Sequence, residues 1–213
     1  MIIKKYAAID IGSNAVRLLI TNVIEEKGKE PKFKKSSLVR VPIRLGQDSF
    51  TTGIISDENI VKMKDTMNAF RLLMKSNNVV KYMACATSAL REAENGKELV
   101  NIIKKASNVD IEIINGKKEA AIIASTDLKT FIDKNSNYLY VDVGGGSTEL
   151  TIFSNGRIIK SKSFKVGTVR LINKSFDELI NWDDIKNWIK KNTKRLDKIT
   201  MIGSGGNINK IHR

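Results

Sequence analysis

Hydrophobic residues fall into short runs separated by glycines and by clusters of polar residues. Residues 6–11 form an apolar run ending in Asp10-Ile-Gly12, and a polar turn separates it from a second run over 16–24, which predicts a hairpin with a carboxylate beside its turn. A third extended run, 32–43, leads to Gly46. Ser56-Asp57-Glu58 then opens a helix on which Ile60, Met63, Met67, Phe70 and Met74 share one face, the methionines as core filler. A strand over 79–86 follows. The capping box Asn95-Gly-Lys-Glu98 introduces a helix with Leu99, Ile102, Ile103 and Ala106 inside; then come a short strand over 111–114, the turn Asn115-Gly116 and a helix over about 117–131. After a polar break at 133–137, a second hairpin begins. A strand over 157–166 ends at Gly167, helical patterns cover 168–172 and 181–196, and a strand over 200–202 meets Gly203-Ser-Gly-Gly206. Trp188 shares a face with Ile185, Ile189 and Leu196, which makes it a core residue. Strands followed by strand–helix units predict an α/β layer fold.

The two hairpins are copies. One constant offset, without a gap, lays Tyr6, Asp10, Gly12 and Leu18 onto Tyr138, Asp142, Gly144 and Leu150. A duplicated hairpin predicts two related domains, 1–132 and 133–213, with the break at 133–137 between them and a ligand cleft where their turns face each other. In the second copy, Val141-Asp142-Val143-Gly144-Gly145-Gly146-Ser147-Thr148-Glu149, three glycines leave the backbone bare beside a carboxylate and two hydroxyls. That arrangement suits metal and phosphate oxygens. Taken alone, it suits an ordinary hairpin turn equally well.

Composition narrows the chemistry. With 213 residues and 41% hydrophobic content the chain can bury packed cores; no run reaches membrane-span length and Asp10 interrupts the N-terminal apolar stretch, so a cytoplasmic location is expected. Cys85 is the only cysteine, read as a buried, inert thiol in a strand, and His212 is the only histidine. Ser-His-Asp, Cys-His and histidine-rich zinc chemistry are thereby excluded. A formal charge of +14 points to an anionic partner or substrate, or else to solvated lysine-rich faces. Aromatic content is only 6% and the lysines are scattered, which disfavours nucleic acid.

Six motifs in order carry a family resemblance: Asp10-Ile-Gly12-Ser13-Asn14, Ala86-Thr87-Ser-Ala-Leu-Arg91-Glu-Ala, Asn115-Gly-Lys-Lys118-Glu119-Ala, Asp142-Val-Gly144-Gly145-Gly146-Ser147-Thr148-Glu149, Val166-Gly-Thr-Val-Arg170-Leu and Gly203-Ser-Gly-Gly206. Together they resemble the exopolyphosphatase/guanosine pentaphosphate phosphohydrolase (Ppx/GppA) family of the actin, Hsp70 and sugar kinase superfamily. The resemblance implies two ribonuclease-H-like domains, each a mixed sheet flanked by helices with the cleft between them, the second short of helices. It implies hydrolytic release of terminal phosphate from polyphosphate or guanosine pentaphosphate, with Mg2+ or another divalent cation. By resemblance, Glu119 is the catalytic residue; Gly12, Ser13, Asn14, Thr87, Arg91, Gly144, Gly145, Gly146, Ser147 and Thr148 bind phosphate; Asp142, Glu149 and Asp10 hold the metal. Asn115 and Lys118 stand where the family carries serine and a first glutamate, and Asn207 where many members carry threonine. No membrane partner is implied, and assembly as a homodimer stays open.

Each residue also has a plainer reading. A glutamate in a first helical turn is favoured by the helix dipole whatever else it does, an aspartate beside a turn caps it through backbone hydrogen bonds, and an arginine after a strand is commonly just solvated. Two other functions compete with hydrolysis: a non-catalytic binder of polyphosphate or an alarmone, and a superfamily kinase with a hydroxyl acceptor in place of water.

Overall fold

A computed structural model describes residues 1–125, 133, 135–172, 181–206 and 208. The chain forms two compact units, Met1–Ile114 and Asn115–Arg213.

In the first unit β1 (Ile2–Ile11) and β2 (Val16–Glu25) make the expected antiparallel hairpin and β3 (Lys32–Val41) pairs with β2. Parallel strands β4 (Val79–Ala86) and β5 (Glu112–Ile113) complete the order β3-β2-β1-β4-β5. Ala7, Ile9, Ile11, Leu18, Ile20, Ala84 and Ala86 supply the buried face, while Ala8 and Asp10 between them are exposed, the period of two that a half-covered sheet requires. Helices α1 (Leu45–Thr51), α2 (Asp57–Ser76), α3 (Ser88–Glu92) and α4 (Gly96–Ser107) complete the unit.

The α2 face is as expected: Met63, Met67, Phe70 and Met74 are buried, each such side chain contributing roughly 1.5–3 kcal/mol. Its start is fastened by Asp48 of α1, which accepts from the Ser56 N–H at 2.9 Å, the Ser56 hydroxyl at 2.7 Å and Asn59 Nδ2 at 2.8 Å. Burial pushes this carboxyl up, but the hydrogen bonds from Ser56 and Asn59 and the charge of Lys62 outweigh it and hold it below the usual carboxylate range.

Three expectations are corrected here. No side-chain hydrogen bond caps α4; Asn95 instead exchanges two 2.9 Å hydrogen bonds with the backbone of Ile55, across the fold. Ala106 faces solvent, and Ser107 takes the buried position, its hydroxyl donating to Ile103 O at 2.8 Å. Cys85 is half-buried on β4.

In the second unit α5 (Gly116–Ser125) leads into β6 (Asn137–Val143), β7 (Thr148–Ser154), β8 (Arg157–Phe164) and β9 (Ile199–Ser204), ordered β8-β7-β6-β9. Pairing repeats the first unit: β6 is antiparallel to β7 and parallel to β9, as β1 is to β2 and β4. Asn155 and Gly156, at φ 51 and 69, join β7 to β8 in the left-handed turn that matches strand twist. Helices α6 (Thr168–Ile172) and α7 (Trp182–Thr193) follow. Trp188 is half-buried and meets Phe164 edge-on, ring centroids 5.9 Å apart.

The units meet between Ile114 and Asn115 rather than at the polar break, because α5 packs on β7 and β8. The break itself is a turn entering β6, where Asp133 Oδ1 accepts from the Asn135 N–H at 3.0 Å and Asp133 O from the Ser136 N–H at 3.2 Å. The rest of the expected helix to Phe131, together with Asn207 and His212, lies outside the described residues. Among the described residues no helix is long and apolar enough to cross a membrane.

Candidate active site

Each hairpin closes through a four-residue turn of the same design. Ile11 pairs with Val16 and the Gly12 N–H donates to Ala15 O at 3.2 Å; Val143 pairs with Thr148 and the Gly144 N–H donates to Ser147 O at 2.9 Å. Each turn is also held from one side by the segment after its unit's third strand. Ser13 O accepts from the Gly46 N–H at 2.7 Å and Asn14 O from the Arg44 N–H at 3.1 Å. In the second copy Gly144 O accepts from the Thr168 N–H at 3.1 Å, Gly145 O from the Val169 N–H at 2.8 Å and Gly146 O from Arg170 Nε at 2.6 Å.

This buttressing orients the backbone. A trans peptide sets its C=O and N–H on opposite sides, and no peptide here is cis. Carbonyls drawn toward α6 at Gly144, Gly145 and Gly146 therefore turn the N–H groups of Gly145, Gly146 and Ser147 the other way, as an array suited to an anion. By the same argument the N–H groups of Asn14 and Ala15 point away from α1.

The bare backbone of the second turn thus has a partner inside the protein: a Cβ on Gly167 would lie 2.4 Å from Gly145 O and 2.5 Å from Gly146 C. Gly46 has the same position against the first turn, where a Cβ would lie 2.7 Å from Ser13 Cβ. Both glycines end a third extended run in the sequence. Their role as buttresses needs the fold to be seen.

Some hydroxyls assigned to phosphate face the protein. Ser13 is buried with its Oγ 3.0 Å from Ser88 Oγ, and the Thr148 hydroxyl donates to Val166 O at 2.6 Å. Asn14 is exposed and Ser147 buried. Thr87, half-buried before α3, donates its N–H to Ile11 O at 3.2 Å, which ties α3 to the first turn. Arg91 Nη1 donates to Ile114 O at 2.7 Å and so fixes the chain just before α5.

The carboxylates differ in setting. Asp10 faces Arg17 across the first hairpin, Oδ2 to Nη1 3.7 Å, both about half exposed. Asp142 faces Glu149 across the second. Its Oδ1 accepts from the Ser204 hydroxyl at 2.7 Å, and Ser204 Oγ accepts from the Tyr140 hydroxyl at 2.8 Å. Burial pushes the Tyr140 phenol up, the Ser204 hydrogen bond offsets part of this, and the charge of Asp142 adds to it. Glu149 is 3% exposed and its Oε1 accepts from the Ser163 hydroxyl at 2.7 Å. Gly205, at φ 106, lets the loop after β9 close on the end of β6, where a Cβ would lie 2.5 Å from Val143 O.

Glu119 sits in the first turn of α5. Asn115 caps that helix: its Oδ1 accepts from the Lys118 N–H and its carbonyl from the Glu119 N–H, both at 2.9 Å. Asparagine and serine are comparable N-caps, so the departure at Asn115 keeps this local role. Gly116 lies against Ser163, where a Cβ would come 2.8 Å from Ser163 Cβ. Glu119, three residues on, shares that face of the helix, and its Oε2 is buried. The Lys118 side chain is exposed.

No cluster of three or more acidic, histidine or cysteine side chains that could cage a metal occurs among the described residues. Mg2+ does not need one, because it keeps several waters and takes one or two carboxylates plus substrate oxygens. Asp142, half-buried with one oxygen fixed by Ser204, fits that demand. Glu149 is buried under Ser163 and Asp10 is paired with Arg17, so both fit it less well.

Two mixed sheets built on one repeated hairpin, each closing on an N–H-bearing turn, make this an actin-like α/β fold. Residues 24–200 match the Ppx/GppA phosphatase family, and the chain belongs to that family. It is 32% identical over 216 residues to the bifunctional 3-dehydroquinate synthase/phosphatase of Fusobacterium nucleatum, covering 94% of this chain and 32% of that protein. It is 26% identical over 147 residues to exopolyphosphatase 1 of Mycobacterium bovis, covering 69% of this chain and 42% of that protein. The chain thus spans less than half the length of either relative. An exopolyphosphatase crystal structure from Cytophaga hutchinsonii matches with TM-score 0.78 at 27% identity, covering 97% of this chain and 68% of that one.

Proposed function

We propose that this protein is a phosphoanhydride hydrolase that releases terminal phosphate from inorganic polyphosphate, with guanosine pentaphosphate the competing substrate. The observation that carries the reading is the turn Gly144–Ser147, whose carbonyls are held by α6, which leaves the N–H groups of Gly145, Gly146 and Ser147 on the opposite sides of their peptides in the same unit as Glu119. Those N–H groups would hold terminal phosphate oxygens, and Asp142 is the residue that would hold a divalent cation. When bound, the cation neutralises phosphate charge. Glu119 orients the attacking water and takes its proton; a mild base suffices, because phosphoanhydride cleavage is governed by positioning and charge.

The +14 charge favours the polymer, since several lysines share one polyanion. With long-chain polyphosphate the expected result is orthophosphate release that EDTA abolishes, and binding that weakens steeply as salt rises. Tight polyphosphate binding without release would favour the binder, a reading to which Lys118 beside Glu119 lends weight. Salt-independent affinity, or preference for guanosine pentaphosphate at low salt, would contradict the polymer assignment.

A further inference from the structure

The two hairpins act as a control for one another around their matching aspartates. Asp10 has Ala8 two residues before it, Cys85 beside it on the parallel strand and Arg17 opposite. At the corresponding places Asp142 has Tyr140, Ser204 and Glu149. The repeat has therefore diverged at all three neighbours of the carboxylate while keeping the carboxylate. In the first copy a cation faces the aspartate and offsets its charge. In the second an acidic residue stands opposite, and two hydroxyls run to the aspartate in series.

We propose that Tyr140 and Ser204 are positioning residues that hold Asp142 for a divalent cation, an inference that rests on Asp142 being the metal-holding residue. A serine hydroxyl has one proton, which here goes to Asp142 Oδ1, and two lone pairs through which a second hydrogen bond can further hold it in place. The Tyr140 hydroxyl engages them. Oδ1 is thus held by a neutral donor, which leaves the carboxylate its full negative charge to offer to a hard cation. A cationic donor at Ser204 would orient the carboxylate equally well but cancel the charge the ion needs. Loss of the hydrogen-bonded partners behind a metal ligand typically costs about 10–100-fold in affinity.

Titration of the full chain with Mn2+, followed by electron paramagnetic resonance in the absence of substrate, tests this. Tyr140→Phe keeps the ring that packs against Tyr138 and Phe153 and removes only the hydroxyl. It is expected to weaken Mn2+ binding by about 10–100-fold with an unchanged melting temperature. Ser204→Ala should behave alike, and Ser204→Thr, which restores a hydroxyl, should recover binding. Parent-like Mn2+ affinity in both Tyr140→Phe and Ser204→Ala, with binding lost in Asp142→Asn, would overturn the inference and leave Asp142 as the metal residue. Parent-like affinity in Asp142→Asn would overturn both.

Discussion

Glu119→Gln is expected to lower turnover of polyphosphate by ~10²–10⁴-fold while KM stays nearly constant. The substitution keeps the length and shape of the side chain, replaces one acceptor oxygen with an NH2 donor, and removes the negative charge and with it the capacity to take a proton. The turn Gly144–Ser147 is held by the N–H groups of Thr168 and Val169 and by Arg170 Nε, so phosphate binding should persist. Helix α5 should persist too, because Asn115 still caps it and only a dipole contribution of roughly 0.3–1 kcal/mol is lost. Circular dichroism checks the fold. Turnover within a few-fold of the parent would reduce Glu119 to a helix-end charge, and joint collapse of binding and rate would make it a shaping residue.

Gly167→Ala carries the second large effect. The added methyl would lie 2.4 Å from Gly145 O and 2.5 Å from Gly145 C and Gly146 C, all backbone atoms that no rotamer change can move aside. The turn must shift, at a cost of about 1–3 kcal/mol for overpacking. A displacement of order 1 Å at reacting groups costs about 10²-fold in rate. Steady-state kinetics should show kcat/KM falling by that order, and melting curves a matching loss of stability. Gly46→Ala meets Ser13 Cβ at 2.7 Å, the Phe50 ring at 2.8 Å and Ser13 O at 3.1 Å; the ring can yield and the contact with the backbone is longer than at Gly167, so its effect should be smaller. A Gly167→Ala variant with parent-like rate and melting would show that the turn does not depend on this contact.

What the sequence made legible was what is local. The repeated Asp-x-Gly before a second apolar run located both hairpins, and the spacing of Met63, Met67, Phe70 and Met74 located α2, because strand and helix periods are written within one element. What it hid depends on residues far apart. Asn95 follows the capping pattern yet bonds to Ile55, forty residues away, because a paired amide in the fold competes with a helix cap. Helix α1 has no apolar period and starts at Arg44 in the left-handed region, a conformation held by Asn14 of the first turn. The polar break at 133–137 has the composition of a linker and is a turn, while α5 joins the second unit because Gly116 fits onto Ser163. At the site, Asp142 and the glycines could be named from their motif. Their supports could not: Ser204 lies sixty-two residues from Asp142, and Arg170 twenty-four from Gly146.

In the proposed hydrolysis, water directed by Glu119 attacks the terminal phosphorus held at the Gly144–Ser147 turn. This attack is tested most directly by letting the protein act on polyphosphate in water enriched in the heavy isotope of oxygen and weighing the product by mass spectrometry. Each released orthophosphate is expected to carry a single heavy oxygen, with none in the shortened chain. Unlabelled orthophosphate with the label left on the chain, or transfer of the phosphoryl group to an added hydroxyl acceptor, would contradict it.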